Sequence, residues 1–586
     1  MAKLMNSQWL TFLRMKPTKI RRYVGQITGV LFLFGWVGIC SGKTESLSVN
    51  TSLSPLTEAP DDLRPLPALA AQTILFVDDS HVLYRAGTKR VLEPLHRAEG
   101  NPLIKGRDKP WEVAIAWMSV YRNPVTGKYQ LWYQAFAGNE AENKTRRCTV
   151  CYAESDDGIN FIKPNLRLFD YNGNLDTNIV VVANGGTSDR YGVSVVVDPE
   201  EKDVMRRYKM AHYDFCIGED GQERPGLSIA FSPDGILWTK VPGGPISRTS
   251  YGSFGTPVPM QAIASSSNIR SIDNNSMTVG KDPARSPMRP WDVPLAMSDA
   301  LDAFWDSPKK VFSIYGKMWI DGPDGGMYWK HAMGRIESKD FIHWSKPQLL
   351  LTPDDQDPAS VEYHTTPVFY YADYYFSALQ ILDRATNGGI IDIELATSRD
   401  GLNWRRDFRQ PFWLARTVGE AFDSGSLFLC PQPIVLEDEI RFYYGAYSAG
   451  ATGSDDHKLT TGIGMASMPR DRFAGLQSGP QSAGGNLSQP LPDRGQITLK
   501  LINFKGNETM QINAKIAGSV RVELLDAAGK RVEGYTFDDA VIMQGDALRH
   551  EVKWQGGLVH LPQGEHLIRI HLNQATVYAL SLLPQQ

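Results

Sequence analysis

The stretch Ser398-Arg399-Asp400-Gly401, followed by Trp404, decides the fold, because versions of it recur along the chain. In such a turn the Asp side chain accepts hydrogen bonds from nearby backbone N–H groups, and Gly tolerates a positive φ. The aromatic residue then starts the next strand on the buried face. The other copies are Ser155-Asp156-Asp157-Gly158 with Phe161, Ser232-Pro233-Asp234-Gly235 with Trp238, Ser338-Lys339-Asp340 with Trp344, and the weaker Met468-Pro469-Arg470-Asp471 with Phe473.

Two strand-like runs precede each of these turns, and the second run is rich in Tyr and Trp. The second runs are 128–136, 207–213, 311–319, 371–382 and 439–447. One such unit cannot bury both faces of its sheet, whereas five units packed radially cover one another. The pattern therefore predicts an all-β protein with a five-bladed β-propeller. A long β-helix would need shorter and more uniform repeats.

Composition divides the rest of the chain. Residues 43–70 and 479–494 are rich in small and turn-forming residues and are predicted to be linkers. The propeller is expected between them, at 71–478. Residues 495–586 alternate apolar and polar side chains, as in Val520-Arg521-Val522-Glu523-Leu524, which predicts a β-sandwich after the propeller.

The first 42 residues are typical of a signal peptide. A basic stretch ending at Arg22 precedes an apolar run from Val24 to Cys40, and the small residues Ser41 and Gly42 offer a cleavage point. The sequence thus predicts a secreted or periplasmic protein. The alternatives are an uncleaved N-terminal anchor and lipid attachment at Cys40, which the bulky neighbour Ile39 disfavours.

Charge and cysteine spacing limit the partners. A formal net charge of −4 gives no basic excess for nucleic acid. Cys148 and Cys151 form a C-x-x-C pair, but they lie in a predicted strand, where residues three apart point to opposite faces. We therefore expect no metal at this pair and no cofactor, with a calcium ion in the propeller channel as an open alternative. No membrane partner is expected beyond the N-terminal anchor.

An acid stands at the start of every predicted inner strand. The inner strands of a propeller line its channel, so these acids should meet at the channel mouth. They are Glu112, Asp189, Asp299, Glu362 and Asp423. Crowded, partly desolvated carboxyl groups acquire different pKa values, as glycoside hydrolysis requires of its acid and its base or nucleophile.

We predict four of these acids, Glu112, Asp189, Asp299 and Glu362, as catalytic residues acting on a carbohydrate substrate. A second set should bind and orient the sugar, since it combines flat aromatic rings with polar groups near the mouth. This set comprises Trp111, Arg190, Tyr363, His364 and Asp423, with Trp117 as a further stacking group.

The repeated turns and strand-start acids resemble the propeller glycoside hydrolases of families 32, 43 and 68. Asn101-Pro102-Leu103 before Trp111-Glu112 resembles the opening of the first blade in divergent bacterial relatives, and Val552-Lys553-Trp554 resembles part of their C-terminal sandwich.

This resemblance implies that Glu112 is the nucleophile or base, Asp189 the modulator and Asp299 the acid. The family pattern has Asp in blade one and Glu in blade three, so Glu112 and Asp299 depart from it.

Three functions remain open on the sequence. The first is a secreted glycosidase with Glu362 or Asp299 as general acid and Glu112 or Asp189 as base or nucleophile. The departures from the family pattern favour the second, a propeller that binds carbohydrate or protein without cleaving it. The third and minor one is a sialidase-like hydrolase, because Ser-x-Asp turns also resemble those of sialidases.

Overall fold

The computed structural model describes most of the chain from residue 72 onward, and these residues belong to one compact unit. The described ranges are 72–137, 147–183, 192–217, 223–241, 247–248, 297–320, 329–385, 389–451, 460–480 and 489–584. The predicted signal peptide at 1–42, the linker at 43–70 and part of the second linker, 481–488, lie outside them. Within these ranges, no helix has the length and apolar character needed to span a bilayer.

Five short strands precede the first blade. They are β1 (Gln72–Leu75), β2 (Val82–Ala86), β3 (Thr88–Leu92), β4 (His96–Arg97) and β5 (Ile104–Lys105).

Five antiparallel sheets follow in chain order. Blade 1 contains β6 (Ala114–Arg122), β7 (Tyr129–Phe136), β8 (Cys148–Ser155) and β9 (Ile179–Val182). Blade 2 contains β10 (Val193–Val197), β11 (Tyr208–Ile217), β12 (Glu223–Ser232), β13 (Thr239–Lys240) and β14 (Ser247–Arg248). Blade 3 contains β15 (Met297–Asp306), β16 (Val311–Ile320), β17 (Lys330–Ser338) and β18 (Gln348–Leu351).

The last two sheets are joined by one parallel bridge between Ile391 and Ser426. Blade 4 contains β19 (Val361–Tyr363), β20 (Val368–Tyr371), β21 (Tyr374–Asp383), β22 (Ile390–Ser398) and β23 (Trp404–Phe408). Blade 5 contains β24 (Ser426–Leu429), β25 (Ile434–Val435), β26 (Glu439–Tyr447) and β27 (Thr461–Pro469).

Apolar clusters between consecutive blades close the ring. Trp132 of blade 1 packs with Tyr208 of blade 2, and Ile229 of blade 2 shares a cluster with Ile314 of blade 3. Corresponding clusters join blades 3 and 4, blades 4 and 5, and, through Tyr443 and Tyr133, blade 5 with blade 1. The predicted five-bladed propeller is confirmed, since each sheet buries its faces against its neighbours.

The repeated turn forms as predicted, and it also links consecutive blades through a hydrogen bond to its Gly carbonyl, which we call the staple. In Ser232-Pro233-Asp234-Gly235, Oδ1 of Asp234 accepts bonds of 2.8 Å from the N–H groups of Ile236 and Leu237. Gly235 has a φ of +81°, and its carbonyl accepts a 2.6 Å bond from Nε1 of Trp132 in the preceding blade. Tyr443 and Tyr315 bind the carbonyls of Gly158 and Gly401 in the same way.

The N-terminal segment supplies the outer strand of blade 5. β4 and β5 both pair antiparallel with β27, so the ring is closed by hydrogen bonds between sequence-distant strands. Arg97 adds a 2.7 Å ion pair from Nε to Oδ2 of Asp423.

The C-terminal strands form one curled, hydrogen-bonded sheet around their own core, as expected for a sandwich-like domain. They are β28 (Ala474–Ser478), β29 (Arg494–Leu499), β30 (Ile502–Phe504), β31 (Glu508–Asp526), β32 (Met543–Glu551) and β33 (Gly564–Pro584). β31 and β33 pair along almost their whole length, with two register shifts between them, and Ile512, Leu524 and Ile570 fill the core.

Three N-terminal strands also belong to this sheet. β1 and β2 pair with β33 and β29, and β3 pairs with β28. The predicted division placed all of 71–478 in the propeller, whereas these strands and β28 join the C-terminal sheet. Alternation within a segment indicates a strand but does not specify the distant strand with which it pairs.

Candidate active site

The segment Glu362-Tyr363-His364-Thr365 lies on the inner side of blade 4 and contacts residues of blades 1, 3 and 5. Side chains alternate in an extended segment, so Glu362 and His364 point to one face and Tyr363 to the other. The Tyr363 hydroxyl donates a 2.9 Å bond to the carbonyl of Thr352, and its ring lies in the core between blades 3 and 4. The structure therefore places Tyr363, predicted to bind substrate, in the core.

Glu362 lies in a charged cluster at the boundary of blades 3 and 4. Its Oε2 accepts a 2.9 Å bond from the backbone N–H of His331 and lies 2.8 Å from Nδ1 of the same residue. Its Oε1 accepts from Nε of Arg384. Burial by itself raises the pKa of Glu362, but the N–H donors of His331 and the Arg384 guanidinium outweigh burial and hold the pKa well below its usual range. Glu362 is therefore an ionised carboxylate at neutral pH.

His331 is buried beneath this carboxylate. Its ring centroid lies 3.6 Å from that of Trp319, on the neighbouring strand β16. Burial is the largest cause that lowers its pKa; Glu362 opposes burial and Lys317 reinforces it, and the resulting pKa is about 4. The imidazole is thus neutral at neutral pH. His331, Lys317 and Arg384 carry no signal in the sequence, because they come from outside the inner strands and share no local motif.

His364 faces the middle of the ring, where it meets aromatic side chains from blades 1 and 5. Its ring stacks on Trp117 at 6.0 Å between centroids and lies 5.3 Å from Phe428, while Tyr447 packs edge-on against Trp117. Trp117 sits at a bulge of β6 with a φ of +37°, an unfavourable conformation for a bulky residue. The structure thus brings His364 and Trp117 together, and their role in binding a sugar stays a prediction.

Thr365 connects the segment to the inner strand of blade 3. Its Oγ1 donates a 2.7 Å hydrogen bond to Oδ2 of Asp302. Burial raises the pKa of Asp302 to about 7, although the bond from Thr365 partly offsets it. Burial also raises the pKa of the nearby Cys430 thiol to about 12, with a further contribution from Asp302. Asp302 therefore exchanges its proton near neutral pH.

Asp302 was missed because the start of the inner strand was placed at Asp299. The sequence does indicate Asp302, because an acid inside the apolar run Ala300-Leu301-Asp302-Ala303-Phe304 is expected to be buried. Burial of a charged group costs free energy unless the group has a partner or is protonated. Asp299 itself lies on β15, and its side chain is outside the described residues. Asp189 and Arg190 also lie outside them. The predictions for these three residues stay predictions.

Glu112 and Trp111 lie in the core between blades 1 and 5. The Glu112 carboxylate is fully buried, accepts a 2.6 Å bond from the Tyr133 hydroxyl and pairs with Nζ of Lys163 at 2.6 Å. Nε1 of Trp111 donates to Asn178 at 3.2 Å. These contacts engage both carboxylate oxygens within the core and favour a structural role for both predicted site residues.

Asp423, predicted to bind substrate, belongs to the ring closure. Besides the Arg97 ion pair, it accepts hydrogen bonds from the hydroxyls of Thr417 at 2.6 Å and Tyr444 at 3.0 Å. Its side chain is 2% exposed. Asp423 thus holds the outer strand of blade 5 rather than lining the mouth.

Cys148 and Cys151 point to opposite faces of β8, as predicted. Cys151 lies in the core between blades 1 and 5, whereas Cys148 lines a small cavity beside His212. Among the described residues, no group of three or more His, Cys, Asp or Glu side chains is arranged to hold a metal ion.

Comparison with known proteins identifies similar solved structures only. No family model and no curated protein matches the chain. A Bombyx mori GH32 β-fructofuranosidase is 11% identical over 84% of this chain and 94% of its own, with a TM-score of 0.33. A Bacteroides ovatus glycosyl hydrolase is 13% identical over 64% and 94%, with a TM-score of 0.37.

A third structure is an N-acetylgalactosamine deacetylase from F. plautii in complex with blood group B trisaccharide, 15% identical over 66% of this chain and 97% of its own, with a TM-score of 0.37. Glycoside hydrolases are thus among the matching structures, as the sequence resemblance predicted. These scores carry no argument about activity, and the fold rests on the sheet pairing described above.

Proposed function

We propose that this chain is a secreted glycoside hydrolase whose catalytic groups lie on the inner strands of blades 3 and 4. One observation carries the proposal. The segment 362–365 joins a proton-exchanging carboxyl, Asp302, to the strand that bears an ionised one, Glu362. Two carboxyl groups whose surroundings push their pKa values apart are what acid/base glycoside hydrolysis requires.

Asp302 takes the role of general acid. Its pKa of about 7 leaves it protonated in half or more of the molecules at pH 7 and below. The proton would pass to the glycosidic oxygen as the bond to the anomeric carbon breaks. Glu362 stays ionised and is the carboxylate that accompanies this general acid. Trp117, the partly exposed member of the aromatic cluster that it forms with His364 and Phe428, supplies a flat face for stacking of a sugar ring.

A second function has its own support. Asp302 and Glu362 are only 5% and 2% exposed, so a bound sugar has little access to either carboxyl group. This limited access favours a propeller that binds carbohydrate without cleaving it. Secretion is supported by the basic and apolar pattern of residues 1–42. It is tested by fractionating cells that express the full chain and sequencing the N-terminus of the exported protein, which should begin at Lys43.

The experiment on catalysis measures reducing-end release from arabinan, xylan, β-mannan, levan and carrageenan. The wild type is compared with Asp302→Asn and Glu362→Gln, and with Asp176→Asn as a matched surface control. We expect release by the wild type and the control, with a loss of at least about 10²-fold in Asp302→Asn, because proton transfer by a positioned group contributes that much. Glu362→Gln should also lower release. Equal release by all four proteins would refute the assignment, and binding without release would favour the second function.

A further inference from the structure

Nε2 of His331 has no hydrogen-bond partner in the part of the chain that the structure describes. Nδ1 faces the Glu362 carboxylate, whereas Nε2 is buried. The side chain is only 3% exposed. An unsatisfied buried acceptor costs about 1–3 kcal/mol, so a partner that arrives from outside the chain is expected.

The surroundings fix which nitrogen carries the proton. An ionised Glu362 stabilises N–H on Nδ1, although the carboxylate approaches obliquely and Nδ1 forms no aligned hydrogen bond. The backbone N–H of His331 binds the same oxygen at 2.9 Å and so holds the carboxylate in place. Trp319 covers the ring face at 3.6 Å between centroids. The remaining lone pair is therefore on Nε2.

The charges around the ring restrict the partner to a neutral donor. Lys317 on β16 and Arg384 after β21 are positive, Glu362 on β19 is negative, and Trp319 is uncharged; all four act on or contact the imidazole or its carboxylate. The two cations would repel an ammonium group that approached Nε2. A hydroxyl group or water meets no such repulsion and can donate an O–H bond.

We propose that Nε2 of His331 accepts a hydrogen bond from an O–H group in the active site, and that Glu362 is a positioning residue that acts through His331. This inference deepens the proposed function and rests on it. Two sources share this chemistry, a hydroxyl of the bound sugar and the water that attacks the anomeric carbon. The arrangement follows the logic of a base oriented by a carboxylate.

With water as the source, the atoms balance as follows. The water oxygen bonds to the anomeric carbon as one water proton moves to Nε2. The bond from that carbon to the glycosidic oxygen breaks, and this oxygen receives the proton of Asp302. Afterwards His331 releases its proton to solvent and Asp302 takes one up. A base with a pKa near 4 is as strong as the carboxylate that usually fills this role.

The test uses the full chain with His331→Phe, which keeps a ring against Trp319 but removes both nitrogens, and His331→Gln, whose amide oxygen restores an acceptor. Kinetics are measured on the polysaccharide that the wild type cleaves. Binding of its oligosaccharides is measured calorimetrically in an Asp302→Asn background, and folding is checked by near-UV circular dichroism. We expect at least a tenfold fall in kcat/KM for His331→Phe and partial recovery for His331→Gln.

The binding and kinetic measurements distinguish a sugar hydroxyl from the attacking water as the O–H donor. Weaker oligosaccharide binding and a raised KM identify a sugar hydroxyl, whereas a lower kcat with unchanged binding, partly restored by azide, identifies the attacking water. If His331→Phe folds and both its oligosaccharide binding and its kcat/KM change by less than twofold, the inference on His331 is overturned. The proposal that the protein is a hydrolase would still stand. If the wild type binds glycans without cleaving them, the proposed function fails, and weaker binding by His331→Phe still supports the O–H contact. A wild type that neither binds nor cleaves overturns both.

Discussion

Oγ1 of Thr365 donates a 2.7 Å hydrogen bond to Oδ2 of Asp302, and this bond crosses from the inner side of blade 4 to the inner strand of blade 3. It stabilises the ionised form of the Asp302 carboxyl, but it offsets only part of the cost of burial. Asp302 therefore keeps its proton to a higher pH than an exposed Asp does, and this has a consequence for stability.

We predict that Asp302→Asn changes how stability depends on pH. The folded pKa, about 7, lies above the ordinary value of 3.8, so the native state binds more protons than the unfolded state between these pH values. The contribution of Asp302 to wild-type stability should fall as pH rises from 4 to 7, by an amount on the order of 4 kcal/mol. Asparagine has no proton to lose, so the variant should gain stability relative to wild type over this range.

The measurement is urea unfolding at pH 4, 6 and 8. The difference in unfolding free energy between variant and wild type should grow with pH, and Asp176→Asn, an exposed substitution, should show no such trend. A constant difference across the three pH values would mean that the pKa of Asp302 is not raised.

The sequence predicted the repeating units well because their chemistry is local. Four of the five turns place a Ser and an Asp within four residues, three of these add a Gly, and Phe341 takes the positive φ of +66° where Gly is missing. Strand partners are not local, so nothing within β1 to β3 shows that they pair with strands far along the chain, such as β28 for β3 and β33 for β1.

The site was predicted in part for the same reason. Glu362 and His364 were found because they begin an inner strand, and alternation already indicated that Tyr363 faces the other way. His331 and Arg384 approach Glu362 from other parts of the chain, and the sequence around neither residue indicates this contact. Glu112 also begins an inner strand, but its partner Lys163 is 51 residues away and makes it part of the core.

We predict that Glu112→Gln lowers stability and leaves catalysis intact. The substitution keeps an acceptor for Tyr133 but removes the buried counter-charge of Lys163, which retains its 3.0 Å ion pair with the exposed Asp108 carboxylate. Removing one partner of a buried ion pair costs about 3–5 kcal/mol, and the remaining Asp108 pair should hold the loss to the lower end of this range.

Urea unfolding should show this loss, while turnover per folded molecule stays within twofold of the wild-type rate. Glu154→Gln, at an exposed pair with Lys128, is the control and should cost less than about 1 kcal/mol. A fully folded Glu112→Gln protein whose turnover has dropped at least about 10²-fold, the loss expected of a proton-transferring group, would return Glu112 to the catalytic set.

We predict that Asp423→Asn loosens the closure of the ring. Asp423 holds Arg97 of β4 at 2.7 Å, and β4 contributes only two residues to the sheet. Weakening this pair should speed amide hydrogen exchange in 96–105 before exchange in blades 1 to 3 changes. Exchange followed by mass spectrometry measures this directly. The control is Asp176→Asn, at the exposed pair with Arg167, which should leave exchange in 96–105 unchanged. If Asp423 faced the channel mouth instead, Asp423→Asn would also leave exchange in 96–105 unchanged.

The staple between blades 1 and 2 yields the last prediction, on Gly235→Ala. Gly235 has a φ of +81°, and an added Cβ would lie 2.5 Å from Cζ2 of Trp132, the residue whose Nε1 binds the Gly235 carbonyl. The methyl group therefore strains the backbone and displaces the indole, which should cost about 1–2 kcal/mol for the conformation and about 1–3 kcal/mol for the overpacking. Gly173→Ala is the matched control, since its φ is +84° with nothing within 4 Å, so only the conformational cost remains. Urea unfolding of both variants measures the difference. Equal losses would show that Trp132 yields without cost and that the turn does not staple the blades.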